Sequence, residues 1–375
     1  MNAETSTLLE RCGGADVAVV DMLPELQRAS LRTMYRFLTG APLPPSAAAE
    51  APYLAAAGVL RATLPVRARS AWAAAPDALY RLFPLGRGEA TASAQAHRLA
   101  HAALASAQPG SPLAALASAR QARGGGAAGD ALDEAATLLF AGHDTQAATL
   151  SWAMLRLAAA PATAARLRRH CAAAGLGRGD GGAVGGAAAA RVPLLEAVVR
   201  ETLRLHPPAP LVVRRMEAPL ACSAAGAPRA APLPAGSAAA VWLYAVQRDP
   251  AAWGADADDF RPQRWLRRAS AADDAAPATA DAPGDDDDDA FDAWRLADNV
   301  GGGAYMPFAA GPRACVGAGV AQVALRVALA RIALGLDWEP PAGGGVDLHP
   351  SVGFTVTPAA GVPLRVRRRD ERHAG

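Results

Sequence analysis

Phe308-Ala-Ala-Gly311-Pro-Arg313-Ala-Cys315-Val-Gly317 stands directly before an apolar run, Ala318 to Leu336, that reads as a helix. The stretch therefore sets a cysteine at a helix N-terminus. Backbone N–H groups and the helix dipole favour a thiolate there. Gly311 and Gly317 allow tight turns and close backbone approach. Arg313 can pair with a carboxylate on a ligand, and Phe308 can shield the sulfur from water. The whole reads as a loop that delivers one sulfur atom. The other cysteines, Cys12, Cys171 and Cys222, are far apart and form no C-x-x-C pair, which argues against a disulfide scaffold or a structural zinc site.

Composition narrows the field further. The chain has 375 residues, and 37 basic against 35 acidic side chains leave a formal charge of +2. That balance excludes a dedicated nucleic-acid binder, which would carry a clear basic excess. There is no lysine, so every basic side chain other than histidine is arginine; isoleucine occurs only at Ile332 and asparagine only at Asn2 and Asn299. Such depletion looks like GC-rich coding bias. Ala, Gly, Pro and Arg are correspondingly less informative here than Phe, His, Trp, Cys and Asp at special spacings. No N-terminal apolar run resembles a signal peptide or membrane anchor, and the alanine-rich runs are too broken by Arg, Gly and Pro to read as a spanning segment.

Working outward from the cysteine loop, helix dominates. Pro24 to Leu38 reads as an amphipathic helix with Pro24 at its first position, and Gly40 closes it. Two or three helices fit between Tyr53 and Ala107, and Gly110 to Gly129 is loop-like at both ends. Ala131 to Ala160 is the longest candidate helix, with Asp130 as expected N-cap and Pro161 as stop. Its apolar middle holds a polar knot, His143-Asp144-Thr145-Gln146. Gly175 to Gly186 reads as a Gly-rich connector, and Pro193 opens a helix to Leu205. Leu211–Val213 and Ala238–Tyr244 read as short strands, and Val352–Val366 alternates like a terminal hairpin. Residues 270–303, with the run Asp285–Asp289, read as a low-complexity acidic surface insertion. The expected fold is mainly α with a minor β-sheet.

A shielded thiolate is a suitable axial ligand for haem iron, and at the cysteine loop the sequence resembles the cytochrome P450 family. The family's other motifs follow in order: Ala141-Gly142-His143-Asp144-Thr145 is similar to its oxygen-activating helix, Glu201-Thr-Leu-Arg204 to its Glu-x-x-Arg helix, and Phe260-Arg-Pro262-Gln263-Arg264-Trp265 to the segment whose arginine joins that pair. The likeness runs from about Asp16 to Arg368. Gln263 stands where the family usually has glutamate, and Gln146 where it often has Thr or Ser.

The resemblance implies a single P450-like domain over residues 1–375, incomplete at the N-terminus, with the 270–303 insertion. It implies haem b (iron protoporphyrin IX) held by Phe308, Gly311, Arg313, Cys315 and Gly317, with Cys315 as the iron ligand and Arg214 meeting a propionate. An ordinary strand-edge arginine is the plain alternative for Arg214. Glu201 and Arg204 alone would be a common surface ion pair; beside Arg264 they read as a buried structural triad. Asp144 and Thr145 read either as a helix kink with a satisfied hydroxyl or as the acid and alcohol that feed protons to dioxygen, for which Ala141 and Gly142 leave room. His143 reads as a packing histidine.

The implied activity is monooxygenation: one oxygen atom of O2 enters a small apolar substrate, with fatty acids or other lipids as a candidate class, and electrons come from an NADPH-dependent or ferredoxin-type reductase. A non-catalytic P450-derived fragment with impaired haem binding is the alternative. A peroxide-rearranging member is a third, opposed by the Asp144–Thr145 pair. Eukaryotic-type members are usually endoplasmic-reticulum membrane proteins. The one Trp-x-x-x-Arg, Trp152 to Arg156, lies on the wrong side of the motifs for a propionate-binding helix. The chain thus looks N-terminally truncated, and a sticky apolar face on the Ala131–Ala160 helix is expected.

Overall fold

Asp21 sets the start of the first long helix. Its carboxylate accepts from Leu23 N at 3.1 Å and from Val362 N at 2.8 Å, so one side chain caps a helix and ties it to a distant strand. The helix therefore begins at Met22, two residues before Pro24, which lies in the first turn, where its missing N–H costs nothing. Gly40, at φ 76°, ends it in the left-handed conformation.

The computed structural model describes residues 2–12, 18–44, 47–70, 75–122, 128–177, 182–221, 232–268, 294–297 and 300–369. In chain order these form α1 (Asn2–Cys12), β1 (Ala18–Asp21), α2 (Met22–Thr39), α3 (Ala47–Ala68), α4 (Asp77–Tyr80), α5 (Pro84–Ala105), α6 (Pro112–Ala122), α7 (Ala128–Ala159), α8 (Pro161–Ala173), α9 (Gly186–Ala189) and α10 (Pro193–Leu205). There follow β2 (Leu211–Arg215), β3 (Ala238–Trp242), α11 (Leu243–Val246), α12 (Pro250–Trp253), β4 (Leu266–Arg268), β5 (Trp294–Leu296), α13 (Ala318–Gly335), β6 (Leu336–Glu339), β7 (Pro350–Val352), β8 (Val356–Pro358) and β9 (Pro363–Arg368). Mainly helix with small sheets is the architecture expected. Cys222, the Asp285–Asp289 run and most of 270–303 lie outside the described residues.

α7 organises the molecule. Its 32 residues span about 48 Å and cross two apolar clusters. Leu139 joins Leu31, Tyr35, Tyr53 and Leu99 on one side, while Trp152, Met154 and Leu157 join Leu195, Leu203, Leu329 and Val366 on the other. A fully buried leucine of this kind contributes about 2 kcal/mol. The helix starts two residues before Asp130; that residue is not its cap but pairs with Arg120 of α6 at 3.4 Å. No large apolar side chain of α7 is exposed, because α2, α5, α10 and α13 cover it. The expected sticky face is therefore closed. Among the exposed apolar side chains are Leu211, Val213 and Trp242 on the two-stranded β2–β3 sheet.

The terminal hairpin is shorter than its alternation suggests. β7 pairs only with β8. Gly361, at φ 72°, then turns the chain away, and β9 becomes the centre of an antiparallel sheet ordered β1-β9-β6. The register Ala18↔Val366 joins the first and last strands of the described chain, and Leu336↔Arg368 adds β6 on the other side. Trp152 is a core residue and Arg156 a half-buried one: the Trp152 ring stacks on His206 at 3.7 Å and donates to Val356 O, and Arg156 Nε donates to His206 Nε2 at 3.0 Å. α13 is long and apolar enough by composition to cross a membrane, yet it packs against α7, α8 and α10 as a core helix does.

Candidate functional site

The cysteine loop is held by its backbone. Cys315 N donates to Phe308 O at 2.9 Å, closing the loop on itself, and Ala314 N donates to Gly311 O at 3.0 Å across a 3-10 turn, Gly311–Arg313. Gly311 takes φ 77°, and Ala309 takes φ 57°, the one non-glycine with positive φ among the described residues. A left-handed alanine costs about 1 kcal/mol, so the surrounding bonds must hold this shape. α13 begins three residues after the cysteine with Gly317 as N-cap and no side-chain cap. Its first-turn N–H groups are left beside the sulfur.

Burial separates Cys315 from the other described cysteines. Cys12 and Cys171 are buried, and burial pushes their thiols up to about 11 and about 12. Cys315 is exposed, as is every residue from Ala310 to Val316, and Val316 reaches 91%. A closed, strained loop that nonetheless shows its sulfur and an apolar neighbour has a face shaped for something else. Phe308 is half-buried against the core at the loop's start. Arg214 of β2 comes to the same loop, with Nη2 donating to Arg313 O at 3.3 Å. Neither Arg214 nor Arg313 pairs with an acid among the described residues.

Behind the loop lies a closed polar network. Glu201 and Arg204 are fully buried on α10 and bond at 2.8 and 2.9 Å in a fork. Glu201 also accepts from Arg264 Nε, Trp265 Nε1 and Arg261 N, each at 2.9 Å. Arg204 spends its remaining donors on the carbonyls of Gln247, Ala257 and Asp259. The three residues expected as a triad are thus in one cluster. Gln247, which the sequence did not flag, links that cluster to the site. Its Nε2 donates to Leu203 O and Arg204 O, while its Oε1 accepts from Met306 N at 2.9 Å, two residues before Phe308. Tyr305 stacks at 4.6 Å from Trp265 in the same seam.

On α7 the polar knot divides by face. Thr145 is half-buried and donates to Ala141 O at 2.8 Å, and Ala141 is exposed one turn earlier. Gly142 points the other way: a Cβ there would lie 2.4 Å from Met34 Cε, so its missing side chain admits α2 and not dioxygen. Asp144 is buried with both oxygens engaged, Oδ1 by Arg61 Nη1 at 2.6 Å and Oδ2 by Thr355 Oγ1 at 2.5 Å. His143 is a buried packing histidine: Nδ1 bonds Leu139 O at 2.9 Å, and the ring meets Tyr53 edge-on at 5.3 Å. Burial holds its pKa below the usual value despite the neighbouring Asp144. Phe140 on the same helix packs at 5.5 Å against Phe354, which is 45% exposed. Arg61, Thr355 and Gln247 carry no motif of their own; nothing in their local sequence announces them.

The comparisons with known proteins agree on one family. The family model for Cytochrome P450 matches residues 101–361. Cytochrome P450 78A1 of Zea mays is 36% identical over 206 residues, which is 55% of this chain and 32% of that protein. Cytochrome P450 714C3 of Oryza sativa subsp. japonica is 29% identical over 232 residues, covering 62% and 38%. The monooxygenase milC of Cordyceps militaris is 31% identical over 232 residues, covering 60% and 38%. A solved zebra fish cytochrome P450 with abiraterone has a TM-score of 0.69 at 21% identity, over 98% of this chain and 77% of that one. The chain thus spans 32%, 38% and 38% of these three curated relatives.

Proposed function

The chain belongs to the cytochrome P450 family, and on that premise we propose that it is a haem-thiolate monooxygenase acting on an apolar organic substrate. The carrying observation is Cys315, exposed on a loop whose backbone bonds fix it, beside two arginines without acidic partners among the described residues. These residues fit haem b. Cys315 would be its thiolate ligand, Arg214 and Arg313 its propionate partners, and the exposed Val316 part of its apolar seat. When bound, haem supplies the activation of O2 that no side chain provides.

The remaining roles belong to this chain's own groups. The first-turn N–H groups of α13 favour the anionic sulfur, and Phe308, half-buried against the core, anchors the start of the loop. The half-buried Thr145 hydroxyl of α7, now donating to Ala141 O, would hand on a proton there. Asp144 is tied to Arg61, whose side chain is 24% exposed, and so connects the helix interior to solvent. Glu201, Arg204 and Arg264 hold the loop's foundation and do no chemistry. Phe140 and the exposed Phe354 offer an apolar surface beside α7. Fatty acids and other lipids are the class to assay first, with an electron-donating reductase and O2 as partners.

The test is haem titration of the full chain followed by a CO-difference spectrum. A thiolate-type band that Cys315→Ser removes is expected; a band that survives the substitution overturns the assignment. With a competent reductase, Thr145→Ala should release peroxide in place of product. Unchanged coupling would leave the hydroxyl as a helix feature only. The second reading, a non-catalytic P450-derived chain with impaired haem binding, is favoured by the exposed Leu211, Val213 and Trp242. Haem stoichiometry near zero in the same titration selects it.

A further inference from the structure

At the far end of α13 from the cysteine lies a second feature. The helix runs 18 residues from Ala318, so its C-terminus is about 27 Å along the axis from the loop. There it passes directly into β6. Between β6, β9, the end of α7 and the start of α8 opens a groove of about 710 Å³, within the usual range for small-molecule sites. Its floor is apolar, with Leu157, Pro161, Ala164, Trp338 and Pro340 among the lining residues. Trp338 is pinned by its Nε1 bond to Met154 O at 3.1 Å.

The rim carries an excess of positive charge among the described residues. Asp337 is shared by three guanidinium groups: Arg168 at 3.2 Å, Arg367 at 3.3 Å and Arg369 at 2.5 Å. Arg365 meets Glu339 at 2.9 Å. Four arginines therefore face two carboxylates. Arg168 is preorganised, because Nε donates to Ala333 O at 2.8 Å and Nη2 to Leu336 O at 3.3 Å, satisfying carbonyls at the helix end. Burial and the charge of Arg369 lower its pKa, against the pull of Asp337. Burial pushes the Asp337 carboxyl up, but the bond and charge of Arg369, with Arg168 and Arg367, outweigh this and hold it below its usual value. The site is short of negative charge.

We propose that this groove binds a long-chain carboxylate, its hydrocarbon chain on the Leu157–Ala164–Trp338 floor and its carboxylate at the Arg365–Arg367 rim. A planar guanidinium matches a carboxylate in two-point fashion. An extended acidic peptide fits less well. β6 has only four residues and is followed by Pro340-Pro341, which lack N–H groups, so little free edge remains for an added strand. The proposal is independent of the catalytic reading, since it uses none of the residues at the cysteine loop or the α7 knot.

The experiment uses the full chain and dodecanoate bearing a photoactivatable diazirine, with labelled positions read by mass spectrometry. Labelling is expected within 157–168 and 336–340. Unlabelled dodecanoate should compete, and dodecanol should compete far less. Arg365→Gln with Arg367→Gln should weaken labelling about tenfold, as expected for a lost charge-assisted hydrogen bond. Both side chains are well exposed, so the fold should be kept, and circular dichroism checks it. Labelling only within 308–316, 140–145 or 352–356 overturns the groove and reports binding at the proposed catalytic face instead. Equal competition by dodecanol, which needs no variant, removes the carboxylate from the argument. Stronger displacement by an oligo-aspartate peptide than by dodecanoate replaces the ligand class and also overturns the proposal.

Discussion

The Glu201 network and the Cys315 loop lie back to back and obey opposite rules. In the network every strong donor and acceptor is used internally: Glu201 accepts from four residues, and Arg204 reaches three carbonyls besides. In the loop Ala314 N and Cys315 N bond within the loop while the sulfur, Val316 and Arg313 are exposed, and the half-buried Arg214 reaches them from β2. Gln247 joins the two regions, with its amide on α10 and its carbonyl oxygen on Met306 N. The difference teaches which parts serve the fold and which serve a ligand. A buried ionic cluster with no spare valence is a foundation. A rigid loop with spare valence is a receptor.

That contrast makes stability and haem binding separable, and mutations can break it. The largest effect is expected at Glu201→Ala, which leaves Arg204 without its counter-charge in a dry site and Arg264 with Asp256 alone. The loss should be roughly 3–5 kcal/mol, read by denaturant unfolding or as insoluble protein. A change under about 1 kcal/mol would make the network an ordinary ion pair.

Gln247→Ala should come next. It strands the Met306 N–H and removes two bonds to α10 carbonyls, for about 2 kcal/mol. Its distinguishing sign is a lower haem affinity as well, because the loop loses its tether. Destabilisation with unaltered haem affinity would show that Gln247 serves only the foundation.

A pH effect should follow from His206, also in the buried region. Burial, then the nearby Arg156, Arg248 and Arg204, hold its pKa well below the usual value. The native state keeps it neutral while the unfolded chain protonates near pH 6.5, so the unfolded state binds more protons below that point. Stability is thus full above about pH 6.5 and falls as the pH drops towards the native pKa, by at most about 1.4 kcal/mol per pH unit. His206→Phe should flatten that slope between about pH 6.5 and 5. An unchanged slope would assign it to other groups, His143 first.

The smallest stability effect should be at Cys315→Ser. An exposed side chain should alter unfolding of the haem-free chain by no more than about 0.5 kcal/mol. A loss comparable to that at Glu201 would mean the sulfur is part of the foundation, and the contrast would fail.

Much of this was legible before any coordinates. The helix from Pro193 to Leu205 and the one from Ala318 stand where their apolar periodicity put them, and Cys315 stands at the start of the latter. Glu201, Arg204 and Arg264 could be grouped because the family's motifs group them. Gly142 was misread because a small residue signals close approach without saying by what; Met34 lies 112 residues before Gln146, the knot residue whose amide also meets it. The Val352–Val366 alternation was read as one hairpin because period two does not distinguish a local partner from a distant one. Asp21, through Val362, decides that β9 turns to β1.

Local pattern thus determined the helices and the sulfur at a helix N-terminus, since spacing along one element is a property of that element alone. Only the tertiary structure decided that Arg61 and Thr355 share Asp144, that Gln247 ties foundation to loop, and that three arginines converge on Asp337 beside an apolar groove. These pairings join residues far apart in the chain through packing of whole elements, and no single element carries a signal for the partner it will meet.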